Sequence, residues 1–396
     1  MRILMVSTEY PPMTGGIGRY TSNLIKALQN QGLEIYIVCD DKGYGNFSGI
    51  SPENKQNSEV LLKIVEKLKP DLVHIQFDPG LYGLVLSTTM TSPQGRTYID
   101  LFYHKCQTPI ITTFHSVYNI REWIKNAVLT KRVGRTGRLG VPARIAVRAW
   151  KRILDYRSFL DLNKEKLKLS RSGIVFSHYM HKLLGGGEII YHGAEPAISN
   201  KPNRNEARAF FSLPHLRSEE GSKTHRIVLA LGFKTATKGW DILQKMKIPD
   251  GWTMIVNSSK AYYNTENIEW GWTKISSKKN IIDLQRGYLS DEELSMLFYA
   301  SDAVILPYSV TSGSGVMFDA LAHGLPFVAT DLEFFREFSS RNLGITVKRN
   351  SDCFSKGLQE LHENYSKYKQ SVDEFKDKLK WSDVAKEHLK LYKKVT

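Results

Sequence analysis

Short apolar runs alternate with segments of helical periodicity along most of the chain. The first run, RILMVS, is typical of a strand, and Tyr20, Leu24, Ala27 and Leu28 then share one face of a helix expected from about Gly18 to Asn30. The alternation continues through the runs EIYIVCD, DLVHIQF, PIITTFH, RSGIVFS and EIIYHG. Near-continuous apolar strands between helices predict a parallel sheet that is covered on both faces.

A break in this pattern divides the chain. Residues 194–224 carry no sustained strand pattern and are rich in Pro, Asn, Gly and Ser. The alternation then restarts at RIVLALG, and Ser290 with Glu293 predicts a capping box at the start of a later helix. An amphipathic basic helix is expected after Trp381. The chain is therefore predicted to be α/β, with two doubly wound domains that face a central cleft and ligands at the carboxyl ends of the strands.

Length and composition agree with this class. The chain has 396 residues, of which 41% are hydrophobic and 24% charged, which suits a soluble protein of two domains. We find no apolar run of about 20 residues and no signal peptide. The three cysteines are scattered singly at Cys39, Cys106 and Cys353, so we expect a reduced, cytoplasmic protein without structural zinc.

The positive charge is unevenly distributed. The net charge is +15, and residues 121–152 hold ten Lys or Arg and one Glu. This basic region is either a solvated helix face or a contact for an anionic membrane surface or a lipid-phosphate acceptor, because apolar residues such as Trp150 interleave with the basic ones. The high charge also fits a nucleic-acid-binding protein, but no zinc finger or RNP strand accompanies it, and we expect no nucleic-acid partner.

A glycine loop follows the first strand, in the stretch STEYPPMTGGIGRY. It is not a dinucleotide fingerprint, because eight residues from Ser7 to Thr14 separate the strand from the glycines. Asp40, at the end of the second strand, is accordingly interpreted as a solvated turn residue. Gly15 and Gly16 remain at a helix N-terminus, where unpaired amides and the helix dipole favour an anion. A purely structural tight turn is the alternative.

A second glycine loop, LPYSVTSGSGVMFDALAHGLP, occupies residues 306–326. Ser314 can cap a helix that begins at Gly315, whose first amides would again face an anion. Asp319 lies one turn into that helix, where a carboxylate suits the vicinal hydroxyls of a ribose. The alternative is an exposed acid that complements the helix dipole.

Two lysines lie between the loops, in LGFKTATKGW. Lys234 and Lys238 follow a strand closely, and Lys238 precedes Gly239 at a helix start. Two ammonium groups there could neutralise a diphosphate without a metal ion. A pair of solvated charges is the alternative for either lysine alone.

Over nearly the whole chain, the order and spacing of these motifs resemble the retaining glycosyltransferases of the GT-B fold, family 4. YPPMTGGIGRY resembles the N-terminal glycine motif of that family, PDLVHIQ and ITTFHS its two histidine motifs, and IIYHGAE its strand-to-turn motif. GFKTATKG resembles the basic motif, and PYSVTSGSGVMFDALAHGLPFVATD the acidic loop-helix motif. The sequence departs from the family at three places: Phe233 stands where many members have Arg, Thr311 where many have Glu, and Asp319 replaces a second Glu.

The resemblance implies an acceptor-binding domain over residues 1–195, a nucleotide-sugar-binding domain over 196–380, and a helix over 381–396 that packs back on the first domain. It implies transfer of a hexose from a nucleotide diphosphate sugar to a glycan, lipid-linked or small-molecule acceptor, with retention and without cofactor or metal. Cell-surface polysaccharide or glycoconjugate synthesis is the expected setting, in the cytoplasm or on the membrane's cytoplasmic face. A sugar-nucleotide epimerase on the same fold remains an alternative.

The resemblance also implies roles for individual residues. His115 and Lys238 are the expected catalytic residues, with His115 close to the donor sugar; His74 is left as a structural or acceptor-side residue. The expected donor-binding residues are Gly15, Gly16, Lys234, Lys238, Thr311, Ser312, Gly313, Ser314, Gly315 and Asp319.

Overall fold

The chain forms two compact units. The computed structural model describes residues 1–84, 97–124, 156, 159–198, 200–213, 225–260, 262 and 280–396. One unit comprises Met1–Gly193 together with Trp381–Thr396, and the other comprises Ala194–Lys380. The chain therefore leaves the first unit after Gly193 and returns to it for the last helix.

The first unit is built on a six-stranded parallel sheet in the order β2-β1-β3-β4-β5-β6. Its strands are β1 Arg2–Val6, β2 Glu34–Val38, β3 Leu72–Phe77, β4 Ile110–Phe114, β5 Ser172–Val175 and β6 Glu188–Ile189. Every residue of β3 and β4 is buried, so both faces of the central strands are covered. This is the arrangement that the continuous apolar runs predicted.

Helices cover this sheet. They are α1 Gly16–Gln29, α2 Asn57–Leu68, α3 Asp100–Lys105, α4 His178–Leu184 and, from the end of the chain, α12 Trp381–Val395; residues 159–169 are also helical. The last helix packs on the first unit, as the resemblance implied: the Trp381 and Tyr20 rings lie 5.5 Å apart, and Tyr392 is fully buried.

The second unit has its own six-stranded parallel sheet, in the order β12-β11-β10-β7-β8-β9. Its strands are β7 Arg226–Phe233, β8 Trp252–Ser259, β9 Ile281–Asp283, β10 Ala303–Leu306, β11 Phe327–Thr330 and β12 Gly344–Val347. Its helices are α5 Arg204–Phe210, α6 Trp240–Lys245, α7 Asp291–Ala300, α8 Gly315–Ala322, α9 Glu333–Ser339, α10 Ser351–Glu363 and α11 Tyr365–Phe375. The predicted capping box of Ser290 and Glu293 is present at the start of α7. Within the described residues, no helix is both long and apolar enough to cross a bilayer.

Candidate functional site

Glu9 organises the first glycine loop. Its buried carboxylate accepts a hydrogen bond from the amide of Gly18 at 2.8 Å and another from the amide of Ile17. These are amides that a helix start leaves without internal partners, so Glu9 caps α1 from within the chain. The helix consequently begins at Gly16, two residues before the position that the apolar periodicity predicted.

The two neighbouring glycines of this loop face different surroundings. A Cβ atom on Gly15 would lie 1.9 Å from the carboxyl carbon of Glu9, whereas a Cβ atom on Gly16 would meet nothing within 4 Å. Gly15 is buried and Gly16 is exposed. Among the described residues, the amide of Gly16 has no hydrogen-bond acceptor. Packing therefore accounts for Gly15, while Gly16 offers an accessible amide to an anion.

A second carboxylate, the half-buried Asp78, follows β3. It accepts hydrogen bonds from the Gly80 amide at 2.8 Å and from the Ser116 hydroxyl. Burial raises the pKa of both Asp78 and Glu9, and the negative charge of Asp78 raises the pKa of Glu9 further. The sequence interpretation missed both acids. Glu9 could have been noticed as the one acidic residue between the first strand and the first helix.

His115 lies directly after β4, where its amide donates to the Phe77 carbonyl at 2.9 Å. Its ring packs against the rings of Tyr20 and Phe176, with centroids 5.3 and 5.2 Å away. Burial, and secondarily the nearby His192, lowers the pKa of His115 to about 3. The imidazole is therefore neutral near pH 7, where it can donate one hydrogen bond and accept another without carrying a charge.

His74 lies deeper in the same unit, and its burial favours the structural interpretation. Its side chain is fully buried, with Nδ1 2.7 Å from the Tyr392 hydroxyl and Nε2 2.7 Å from the Thr113 hydroxyl.

The interpretation of Asp40 as a solvated turn residue was wrong. Asp40 is only 8% exposed, and its carboxylate accepts a hydrogen bond from the Lys42 amide at 3.0 Å.

Thr311 shapes the second glycine loop. Its buried hydroxyl lies 2.5 Å from the Gly313 carbonyl and 3.2 Å from the Gly313 amide, so it folds the turn over Ser312. The Ser314 side chain accepts the Met317 amide at 3.2 Å, which confirms the predicted cap of α8. A Cβ atom on Gly313 would meet nothing within 4 Å. Hydrogen bonds of the Thr311 and Ser314 side chains thus stabilise the turn, while the space beside Gly313 remains open.

The start of α8 places Gly315 beside this turn, and Asp319 follows one helical turn later. Asp319 is 4% exposed. Its burial excludes the alternative of an exposed acid that merely complements the helix dipole. A buried carboxylate behind an open glycine turn is an arrangement suited to hydroxyl groups that enter from the loop side.

Lys238 is held next to the second loop. Its ammonium lies 3.9 Å from the centroid of the buried Tyr308 ring, within cation–π range. The Ser309 amide donates to the Thr237 carbonyl at 2.8 Å, which ties the loop after β7 to the loop after β10. Gly239 has φ +77° and its Cβ would lie 1.8 Å from the Pro307 carbonyl oxygen, so this approach requires glycine.

Lys234 lies directly after β7. Its amide donates to the Ser259 carbonyl at 2.8 Å, and its side chain is half-buried. Because β7 and β10 are neighbours, the carboxyl edge of one sheet carries both lysines and the 311–315 loop. The other predicted residues, Gly15, Gly16 and His115, belong to the first unit.

Two further predictions concern the basic region 121–152 and the binding of metal ions. Most of the basic region 121–152 lies outside the described residues, which include only 121–124 of it. Among the described side chains, no group of three or more His, Cys, Asp or Glu is arranged to hold a metal ion.

Solved structures of known proteins share this architecture. Sucrose-phosphate synthase from Thermosynechococcus elongatus is similar to this chain with a TM-score of 0.67 at 15% identity, over 100% of this chain and 98% of that one. Anabaena Alr3699/HepE, solved in complex with UDP-glucose, also gives 0.67, at 13% identity over 100% of both chains. The two six-stranded parallel sheets with flanking helices are the GT-B fold.

One sequence relative covers almost the entire chain. It is the protein of Methanocaldococcus jannaschii named uncharacterized glycosyltransferase MJ1607, with 20% identity over 99% of this chain and 98% of the relative. No protein-family model matches the chain.

Proposed function

We propose that this protein is a retaining glycosyltransferase that moves a hexose from a nucleotide diphosphate sugar to an acceptor hydroxyl without a metal ion. The observation that carries the proposal is the similarity to a named glycosyltransferase over nearly the full length of both chains. The UDP-glucose complex of HepE supports a nucleotide sugar as donor. A glycan, a lipid-linked sugar or a small molecule would serve as acceptor, in polysaccharide or glycoconjugate synthesis.

The second unit supplies the proposed donor contacts. Lys238 and Lys234 would neutralise the diphosphate, and the amides of Ser314 and Gly315 would hydrogen-bond it. Asp319 would hold the ribose hydroxyls. As the bond between sugar and phosphate lengthens, negative charge grows on the leaving diphosphate, and fixed cations and amides stabilise that charge more than they stabilise the ground state.

The first unit supplies the remaining proposed contacts. Gly15 and Gly16 stay predicted contacts of the donor diphosphate, and the exposed amide of Gly16 is the better supported of the two. His115 would lie close to the donor sugar. Since the hydroxyl of Thr311 folds its own loop, the open side of Gly313 would meet the sugar instead, and Ser312 stays a predicted contact.

Lys238→Ala tests the donor site. Nucleotide sugars are first screened for thermal stabilisation, since binding to the folded state alone raises Tm. With the donor that stabilises best, the variant should lose about 100-fold in kcat, because one stabilising cation is removed from the leaving group. Lys245→Ala, an exposed lysine on α6, is the matched control and should keep full activity.

Full transfer by Lys238→Ala would contradict the donor-site assignment. The anomeric configuration of the product, read by NMR, decides between retention and inversion, and activity in EDTA decides the need for a metal. Conversion of the nucleotide sugar in the absence of any acceptor would instead indicate an epimerase.

We further propose a cytoplasmic location with the basic region 121–152 on an anionic membrane face. Co-sedimentation with anionic vesicles that is lost in high salt would support this contact, because screening weakens charge attraction at a surface. Binding that is indifferent to both lipid charge and salt would count against it. Filter binding to DNA and RNA in the same salt series tests the nucleic-acid alternative.

A further inference from the structure

A line of buried polar side chains crosses the sheet of the first unit and ends at His115. It begins in α12, where the Tyr392 hydroxyl lies 2.7 Å from His74 Nδ1. His74 Nε2 lies 3.3 Å from the amide nitrogen of Gln76, and Gln76 Oε1 lies 2.9 Å from His115 Nε2. Tyr392, His74 and Gln76 are all fully buried. Such groups must satisfy one another, because water cannot reach them.

The register of the sheet fixes this line. His74 and Gln76 are two residues apart on β3, so their side chains lie on the same face of the strand. Gln76 pairs with Thr113 of β4, and the Thr113 hydroxyl lies 2.7 Å from His74 Nε2. His115 follows two residues later. His74, Gln76 and Thr113 are therefore held by strand positions, and His115 lies directly after β4.

The sulfur of Met5 fixes the orientation of the Gln76 amide, and with it the direction of the hydrogen bond to His115. The Gln76 amide nitrogen lies 3.2 Å from Met5 Sδ, and a thioether can only accept. The nitrogen of the amide thus faces the sulfur, and its oxygen faces His115. Because an amide oxygen also only accepts, the proton on His115 must be on Nε2, which leaves the ring lone pair on Nδ1.

We propose that Gln76 is a positioning residue that holds His115 as the Nε2–H tautomer, and that α12 supports it through Tyr392 and His74. The depressed pKa of His115 agrees with a neutral ring, in which the choice of tautomer matters. The tautomer assignment stands on the hydrogen bonds alone; its consequence for sugar transfer rests on the proposed function.

The tautomer can be read directly by long-range ¹H–¹⁵N NMR of histidine-labelled protein. In the wild type, His115 should show a protonated Nε2 and an unprotonated Nδ1. Gln76→Met removes the acceptor at similar length, and the His115 signals should move towards a mixture of both tautomers. Gln107→Met, at an exposed glutamine, is the control and should leave them unchanged.

Gln76→Glu provides an independent variant that retains an acceptor at this position. Its carboxylate should keep the proton on Nε2 and raise the pKa of His115 into a range where titration is visible. An unchanged Nε2–H ring in Gln76→Met, or a His115 pKa that Gln76→Glu does not raise, would overturn the proposal. These readings need no substrate.

The kinetic consequence is measured with the donor found by the screen. Gln76→Met should lower kcat about 10- to 100-fold through a misoriented His115, while KM for the donor changes less than about twofold. Gln76→Glu should recover part of the loss, and Tyr392→Phe should show a smaller loss in kcat. A rise in KM at constant kcat would contradict a positioning role. A wild type that transfers no sugar would refute the proposed function, yet the tautomer spectra would still decide the assignment of Gln76.

Discussion

Gly15 and Gly16 are neighbours in the loop before α1, yet a side chain at each would meet different surroundings. At Gly15 it would collide with the carboxylate of Glu9, which is buried and bound to two backbone amides. At Gly16 it would point into open space. The two glycines therefore have different roles. Gly15 leaves room for Glu9 to cap α1, and Gly16 leaves its own amide accessible.

Gly15→Ala should destabilise the protein by about 1–3 kcal/mol, because displacing Glu9 leaves a buried carboxylate and two amides without partners. Gly16→Val should change the free energy of unfolding by less than about 1 kcal/mol, since only helix propensity is altered. Urea unfolding of both variants measures the difference.

The donor titration of the same two variants separates folding from binding. Gly16→Val should weaken donor binding by more than it weakens the fold, because its side chain covers the accessible amide. Equal donor affinity for Gly16→Val and the wild type would show that no phosphate approaches this glycine.

Individual residues also mark where sequence reasoning reached its limit. The pattern located the second loop and the Ser314 cap, because capping depends on residues three apart. It could not locate Glu9, whose partners depend on how the loop folds back. Thr311 was assigned by its position in a motif, whereas its hydroxyl hydrogen-bonds within the loop itself.

At the scale of the elements, α12 brings a second buried histidine to the sheet. His388 is fully buried, its Nδ1 lies 2.7 Å from the Val384 carbonyl, and its ring centroid is 5.8 Å from that of His74. Burial lowers the pKa of His388 to about 4, and burial also lowers the pKa of His74 well below its usual value. The contact between this helix and the sheet therefore depends on neutral imidazoles.

The first unit should lose stability as the pH falls from about 6.5 towards 4. In that window the unfolded chain binds a proton at each of these histidines and the folded chain does not, so protons favour the unfolded state. Each histidine should lower the free energy of unfolding by about 1.4 kcal/mol for each pH unit of acidification within this window. Urea unfolding between pH 7 and 5 measures the slope.

His388→Gln should reduce the pH dependence of the free energy of unfolding by the contribution of one histidine. The amide of the new glutamine can still donate to the Val384 carbonyl. His104→Gln, at an exposed histidine, is the matched control for this substitution. A slope that His388→Gln does not alter would show that His388 takes up its proton at the same pH in the folded and the unfolded protein.

The elements themselves were largely predictable, because apolar runs and helical faces are local properties of the sequence. The strands of the first sheet and β7 of the second fall on the predicted runs, and the fold class was correct, whereas β12 lies on no predicted run. The line from Tyr392 to His74 was not predictable, since it joins residues 318 positions apart. Only the packing of α12 on the sheet creates it.

For the whole molecule, the two units differ in continuity. The second unit is one uninterrupted segment, Ala194–Lys380, whereas the first needs Trp381–Thr396 to complete it. The last helix buries Val384, Ala385, His388, Leu391 and Tyr392. At about 1.5–3 kcal/mol for each large apolar side chain, this contribution is comparable to the total stability of an ordinary domain.

A chain that ends at Lys380 should therefore lose the cooperative unfolding of its first unit and keep that of the second. Calorimetry should show one transition in place of two, and hydrogen exchange should lose protection in β3 and β4 but not in β7 and β8. The control removes only Lys394, Val395 and Thr396, beyond most of the buried positions, and should retain both transitions. Persistent protection of β3 in the chain ending at Lys380 would contradict the prediction.

The discontinuity of the first unit has a consequence for biosynthesis. Its sheet is translated before the second unit, but its closing helix is translated only after the whole second unit of about 190 residues. At roughly 5–20 residues per second, that interval lasts about 10–40 s. During this time the nascent first unit has the site of Tyr392 uncovered, so the second unit can finish folding before the first. Premature termination between Lys380 and the end of α12 would therefore damage the unit that contains the first strands of the chain.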